Sequence, residues 1–135
     1  MPLPSRAHVS PWRRQYACLA HRPTWLVETA RGCPFRCSFC SIWQLHGRSV
    51  RERSIDAVCQ DMAAVGPEVF VADDLFWHHA SRSLELAHEL RRRGIHKRWI
   101  LVQSRADLVA RNAELLEAWR PLADDNDPAG FLSSR

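Results

Sequence analysis

The sequence predicts an α/β fold, a partial (β/α) barrel of about three β/α units built on a parallel sheet. Three short apolar segments with strand composition alternate with three segments in which apolar residues recur at helical spacing. The links between these segments are short, which calls for right-handed crossovers between neighbouring parallel strands. With 135 residues, of which 46% are apolar and 25% charged, the chain has the length and composition of one globular domain.

The predicted strands are short and bounded by loop residues. Residues 24–29 combine β-branched and apolar side chains, the composition of a strand. Residues 69–72 form a continuous apolar run, which is typical of a strand covered on both faces, and residues 99–102 form the third strand.

The predicted helices begin and end at residues that commonly cap helices. Ser54 and Asn112 are placed as N-caps of the first and third helices, and Gly94 ends the second, which covers 81–93. Gly66-Pro67 stops the first helix and Pro121 the third. The apolar residues at helical spacing are Ile55, Val58, Met62 and Val65 in the first helix, Leu84, Leu86, Ala87 and Leu90 in the second, and Leu115, Leu116 and Trp119 in the third.

The chain divides into three parts by composition. Residues 1–23 hold four of the eight prolines and form an irregular lead-in, although the helical spacing of Trp12, Tyr16 and Leu19 predicts a short helix there. Residues 24–122 form the β/α core. Residues 123–135 lack a strand pattern and are expected to be a disordered tail.

Charge and hydropathy indicate the cellular environment of the chain. The net charge of +4 is mild and sits in short arginine clusters, which favours solvated loops and helix ends over a nucleic-acid surface. No apolar run approaches the ~20 residues of a membrane span, and the N-terminus lacks the apolar core of a secretory signal. We therefore expect a cytoplasmic protein whose thiols stay reduced.

The most informative motif is a cluster of three cysteines after the first strand. Cys33, Cys37 and Cys40 form C-x3-C-x2-C, with Phe39 just before the last cysteine. Three thiolates this close can wrap one iron–sulfur cluster, and a four-iron cluster then keeps one iron open to a ligand. A zinc site that includes His46, a disulfide, and inert thiols are the alternatives. Neither Cys18 nor Cys59 belongs to the predicted site.

The segment Arg31-Gly32-Cys33-Pro34-Phe35-Arg36-Cys37-Ser38-Phe39-Cys40 resembles the cysteine motif of the radical S-adenosylmethionine (SAM) superfamily. The segments 70–74 and 97–99 resemble the branch often found with a cobalamin-binding domain. The resemblance implies a 4Fe-4S cluster whose open iron is chelated by SAM, and reductive cleavage of SAM to a 5′-deoxyadenosyl radical. It also implies an electron donor such as flavodoxin or ferredoxin, and it leaves cobalamin open as a cofactor of full-length relatives.

Polar residues follow the second and third strands, and in parallel sheets such residues meet the loop after the first strand at one rim. The resemblance assigns Asp73 or Asp74 to the ammonium group of SAM, the alternative being a turn cap. Gln103 and Arg105, which follow the third strand, are further candidates for contacts with SAM. Arg105 would form a fork with the carboxylate of SAM or, equally, a salt bridge to Asp107 or another loop acid.

Other polar residues near this rim have weaker assignments. His78 and His79 are expected at the surface, although the same rim would allow them to face a substrate. Arg31 and Arg36 flank the cysteines, where they would lower thiol pKa values, attract an anion, or simply be solvated.

The resemblance also predicts that the core is incomplete. The radical SAM core is generally a partial barrel of six units, and only three units are visible in this sequence. We therefore expect an incomplete radical SAM core, a truncated form whose third strand leaves an open edge. Two further readings remain, an iron–sulfur electron-transfer module and a zinc-binding module, both without SAM chemistry.

Overall fold

The computed structural model describes residues 3–123 and has a mixed α/β architecture. The predicted tail falls almost entirely outside the described residues. In chain order the elements are a 3-10 helix Ala7–Gln15, β1 Trp25–Val27, β2 Ala30–Arg31, α1 Ile42–His46, β3 Arg51–Glu52, α2 Ile55–Ala64, β4 Glu68–Val71, α3 Ala80–Arg92, β5 Trp99–Leu101, α4 Ala106–Arg111, α5 Ala113–Trp119 and a second 3-10 helix Arg120–Leu122.

The central sheet has three parallel strands in the order β1-β4-β5. Trp25 pairs with Val69, and Val69 pairs in turn with Ile100. The predicted α/β class and the parallel sheet are therefore confirmed. A small antiparallel pair, β2 with β3, was not predicted and lies beside the cysteine loop.

The helix ends follow the predicted capping at two of three positions. Ser54 Oγ accepts a hydrogen bond from the Ala57 N–H at 3.3 Å, and Gly94 follows α3 with φ of +65°. Asn112 differs, since its side-chain amide donates to the carbonyl of Leu108 at 2.7 Å and makes no cap bond to α5. The reason is α4, an unpredicted helix whose last carbonyls lie within reach of Asn112.

The hydrophobic core lies between the sheet and α2, α3 and α5. Leu115 and Trp119 of α5 are fully buried, and the ring of Trp119 meets Phe76 edge-on. Leu116, included in the predicted apolar set, is instead 37% exposed because it turns away from the core. The apolar residues of α2 and α3 that were predicted to line one face are buried or packed against the core.

The lead-in runs beside β1, and its His21 ring stacks on the buried Trp99 with ring centres 4.0 Å apart. Its 3-10 helix ends at Gln15, so Tyr16 and Leu19 lie outside it, and no residue of this helix is buried. Of the three residues predicted to lie in a short helix, only Trp12 lies in the observed one. Arg6 donates to the carbonyl of Leu26 at 3.0 Å and fastens the lead-in to the edge strand. Within residues 3–123, no helix has the length and apolar character needed to cross a bilayer.

Candidate functional site

A cleft of about 460 Å³ opens where the carboxyl ends of β4 and β5 meet the cysteine loop. Six of the seven predicted site residues line it, in three groups that come from three separate segments of the chain. They are Cys33, Cys37, Cys40, Asp74, Gln103 and Arg105. The expected convergence of polar side chains at one rim is thus observed for these six residues.

The cysteine loop has a fixed backbone at its start and in its middle. Gly32 has φ of +100°, and a Cβ there would lie 2.1 Å from the carbonyl oxygen of Ser49. Only glycine fits such a conformation and such a close approach. Further along, the carbonyl of Cys37 accepts hydrogen bonds from the Cys40 N–H and the Trp43 indole, both at 3.1 Å. The loop therefore presents its thiols from an ordered turn.

Asp73 is the predicted site residue that does not line the cleft. Its side chain is buried, with 3% of the residue exposed, and it accepts a hydrogen bond from the Thr29 N–H at 2.6 Å and another from the Thr29 hydroxyl. Burial raises the pKa of Asp73, while the hydrogen bonds from Thr29 oppose that rise. The Asp73 carboxylate thereby joins the end of β4 to the segment that leads from β1 into the cysteine loop.

Asp74 links the same two segments but also faces the cleft. Its Oδ2 accepts a hydrogen bond from the Gly32 N–H at 2.7 Å, and His46 Nε2 lies 3.9 Å from the same oxygen. The Asp74 carboxylate therefore helps to hold Gly32, the glycine of positive φ that begins the cysteine loop. Because Asp74 is only half-buried, it remains accessible to a molecule bound in the cleft.

Arg105 spans the cleft from the end of β5 to the cysteine loop. Its Nε and Nη2 form a fork with Asp107 at 2.9 and 3.2 Å, so the salt bridge considered from the sequence is present. Its Nη1 lies 3.5 Å from Cys37 Sγ, and the guanidinium carbon sits 4.0 Å from the centre of the Phe35 ring. The hydrogen bond with Asp107 raises the pKa of Arg105, and the same bond lowers the pKa of Asp107.

The cysteines have the state that ligation to a cluster requires. Cys33, Cys37 and Cys40 are free thiols and half-buried, and burial raises the pKa of Cys33, with its neighbouring thiols adding to the rise. A thiol with a raised pKa loses its proton when a metal binds, because the thiolate is the form that acts as ligand. Phe39, 91% exposed, stands at the mouth of the same cleft. The donor set suits an iron–sulfur cluster with three protein ligands.

A single-metal site is not formed by the described residues. Among residues 3–123, no three His, Cys, Asp or Glu side chains are grouped so that they could hold one metal ion. His46, the fourth ligand in the zinc alternative, lies instead near Asp74 and Arg51. The three cysteines and His46 are therefore not gathered around one ion position in this part of the chain, and metal analysis distinguishes the zinc alternative from a cluster.

His78 and His79 face Glu52 of β3. His78 Nε2 and His79 Nδ1 lie 3.0 and 3.3 Å from Glu52 Oε1, and neither histidine lines the cleft. Glu52 and Thr29 are the polar partners that sequence reasoning missed, since both act through contacts with residues distant in the chain. No local pattern marks either of them.

Comparison with known proteins found proteins that are similar in sequence to this chain. No protein-family model matches the chain. Over 112 residues it is 35% identical to a protein named Hopanoid C-3 methylase from Methylococcus capsulatus, which covers 82% of this chain and 22% of that protein. A second relative, an uncharacterized methyltransferase from Pyrococcus horikoshii, is 28% identical over 82 residues, 57% of this chain and 18% of the relative. The chain thus spans about a fifth of the length of these relatives.

Proposed function

We propose that the chain is the cluster-binding part of a radical SAM methyltransferase. Cys33, Cys37 and Cys40 would hold a 4Fe-4S cluster in the cleft, and SAM would bind beside them. The observation that carries the proposal is the meeting of the C-x3-C-x2-C thiols with Asp74, Gln103 and Arg105 around one cleft. The names of two relatives, a methylase and a methyltransferase, favour methyl transfer as the reaction class.

When bound, the cluster would supply the electron that cleaves SAM, and the chain's own residues would hold and shield the reactants. The Asp74 carboxylate is suited to the ammonium group of SAM, because within residues 3–123 its contacts to Gly32 and His46 use Oδ2, and Oδ1 can accept a charge-assisted hydrogen bond. Gln103 lines the same cleft and has both a donor and an acceptor to offer.

Asp73 has a different role in this proposal. Its carboxylate is buried on Thr29, so we assign it to holding the approach to the cysteine loop and not to SAM. An electron donor such as flavodoxin or ferredoxin would approach the exposed mouth of the cleft, near Phe39. Cobalamin, as a cofactor of full-length relatives, stays a prediction from the sequence resemblance.

The proposal is tested by anaerobic reconstitution of the chain with iron and sulfide, followed by reduction and addition of SAM. We expect the electron paramagnetic resonance spectrum of the reduced cluster to change on SAM binding and 5′-deoxyadenosine to form. The matched pair is Cys40→Ala, which should abolish both signals, and Cys59→Ala, which removes a buried thiol of α2 that does not line the cleft and should preserve them.

The alternatives give different results in the same experiment. A stable cluster whose spectrum ignores SAM would favour an electron-transfer module and contradict the proposed function. One zinc per chain with no cluster would favour a zinc-binding module. Retention of the cluster and of both signals in Cys40→Ala would show that the cleft is not the site.

A further inference from the structure

The contacts of Arg105 point to a role that is separate from SAM binding. Arg105 was assigned from the sequence to the carboxylate of SAM, which requires a free pair of parallel N–H groups. In the structure Nε and Nη2 are already paired with both oxygens of Asp107. The fork that would receive a second carboxylate is therefore occupied.

The remaining side of the guanidinium faces the cysteine loop at two points. Nη1 is 3.5 Å from Cys37 Sγ, within reach of an N–H···S hydrogen bond, and the guanidinium lies over the Phe35 ring, 4.0 Å from its centre. Phe35 and Cys37 are both inside the motif. Asp107 and Phe35 together fix the plane of the guanidinium, so the positive charge is held against one particular sulfur.

We propose that Arg105 is a positioning residue that holds a positive charge and a hydrogen bond on the Cys37 sulfur and thereby raises the reduction potential of the bound cluster. The inference rests on the proposed function, because it requires that Cys37 is a cluster ligand. It replaces the expected contact between Arg105 and SAM with a contact to the cluster ligand itself.

The physical reason is the charge that reduction adds. One electron makes a cluster with three thiolate ligands more negative, so a nearby cation stabilises the reduced state over the oxidised one. Hydrogen bonds to ligand sulfurs act in the same direction and are among the main determinants of iron–sulfur potentials. The negative charge of the paired Asp107 carboxylate offsets part of this effect, and solvent screens another part because the side chains of Arg105 and Asp107 are each 38% exposed, so a moderate shift is expected.

The experiment is a redox titration of the reconstituted chain, without SAM, followed by electron paramagnetic resonance. In Arg105→Ala we expect the reduction equilibrium to move about tenfold toward the oxidised cluster, a fall in potential of about 59 mV for one electron. The reduction potential of the cluster in Arg105→Lys should lie between those of wild type and Arg105→Ala, because lysine keeps the charge but lacks the planar fork.

Arg36→Ala is the matched control for removing one positive charge from the same rim. Arg36 belongs to the cysteine loop but stacks on Trp43, 4.9 Å from the ring centre, and lies outside the cleft. Removing the Arg36 side chain should move the reduction equilibrium of the cluster by no more than about twofold, because solvent screens a charge that does not contact a ligand sulfur. SAM affinity of all variants is measured in parallel by equilibrium dialysis.

The outcomes separate this inference from the proposed function. A wild-type chain that takes up no cluster overturns both. A cluster whose potential in Arg105→Ala equals that of wild type overturns the inference alone, and a large loss of SAM affinity at unchanged potential returns Arg105 to the SAM carboxylate. Equal shifts in Arg105→Ala and Arg36→Ala also overturn it. If Arg105→Ala takes up no iron, Arg105→Lys decides, since an unchanged potential there contradicts a role for the fixed fork.

Discussion

Replacing Asp73 tests whether a buried carboxylate holds the entrance to the cysteine loop. Asp73 accepts hydrogen bonds from the backbone N–H and the hydroxyl of Thr29 in a site with 3% exposure. Asp73→Ala would leave both donors buried without this partner. Each such donor costs about 1–3 kcal/mol, and the hydroxyl can partly recover by rotation, so we expect a loss of about 2–4 kcal/mol in the free energy of unfolding.

The isosteric change should be much milder. In Asp73→Asn the amide oxygen still accepts from the Thr29 N–H, and the amide nitrogen can donate to the Thr29 hydroxyl, which is both donor and acceptor. We expect a loss below about 1 kcal/mol at neutral pH, since no buried group is left without a partner.

The pH dependence adds a sign to this prediction. Burial raises the pKa of Asp73 in the folded chain, so the folded state binds the proton more tightly than the unfolded state. The stability contributed in this way is fully present below the unfolded pKa and is lost as pH rises through the folded pKa. The stability of Asp73→Asn relative to wild type should therefore increase with pH in the acidic range above the ordinary aspartate pKa.

Urea unfolding followed by tryptophan fluorescence measures these differences, because the chain has six tryptophans. Asp56→Ala is the matched control, since the Asp56 side chain is 61% exposed and pairs with Arg93 at the surface; it should cost below about 1 kcal/mol. If Asp73→Ala were no more harmful than Asp56→Ala, the reasoning about the buried carboxylate would be refuted.

Three further predictions concern the loop, the core and the surface. Gly32→Ala should destabilise the chain by about 2 kcal/mol or more and reduce iron uptake, because its Cβ would meet a backbone carbonyl at 2.1 Å; urea unfolding and iron analysis measure this. Arg53→Ala should cost about 2 kcal/mol in urea unfolding, since Arg53 pairs at 2.7 Å with Asp61, whose side chain is fully buried and keeps only its second pair, with Arg6 at 2.6 Å. Glu89 should titrate with a pKa of about 2 in carbon-13 NMR, because two arginines hydrogen-bond its carboxylate.

Each of these has its own control or contrary result. Gly47→Ala also changes a glycine of positive φ, but nothing lies within 4 Å of the added Cβ, so it should cost only about 1 kcal/mol and spare iron uptake; equal effects at the two glycines would contradict the steric argument. Arg92→Ala, at a side chain 71% exposed, should cost below about 1 kcal/mol. A similar cost for Arg53→Ala would contradict its predicted contribution and mean that Arg6 alone satisfies the Asp61 carboxylate. A Glu89 pKa in the usual glutamate range would show that its arginine pairs do not form in solution.

The parallel sheet was predictable because its strands are continuous apolar runs and its helices carry an apolar face. The β2–β3 pair was not, since each strand has two residues and Arg51 and Glu52 are exposed. Helices α1 and α4 have five and six residues, too few for a helical period to stand out. Short elements of this kind are fixed by tertiary contacts and not by local pattern.

For the candidate site, the cysteine spacing and the strand ends predicted six residues that line one cleft, Cys33, Cys37, Cys40, Asp74, Gln103 and Arg105; their roles stay predictions. The different contacts of Asp73 and Asp74 could not be predicted from the sequence, in which the two residues are adjacent. Asp73 finds its partner Thr29 across 44 positions of the chain, and alternation of side chains at the end of β4 sends the two carboxylates to different neighbours. The occupied fork of Arg105 was one of two alternatives that sequence could name but not separate.

The central claim is that Cys33, Cys37 and Cys40 together hold one cluster. The most direct test is to count iron and sulfide in the anaerobically reconstituted chain and in three single alanine variants at these positions, with Cys18→Ala as the matched control. We predict about four irons and four sulfides per wild-type chain, the same count in Cys18→Ala, and loss of the cluster in each of the three variants. Iron that stays bound in those variants, or a wild-type chain that binds none, would contradict the account.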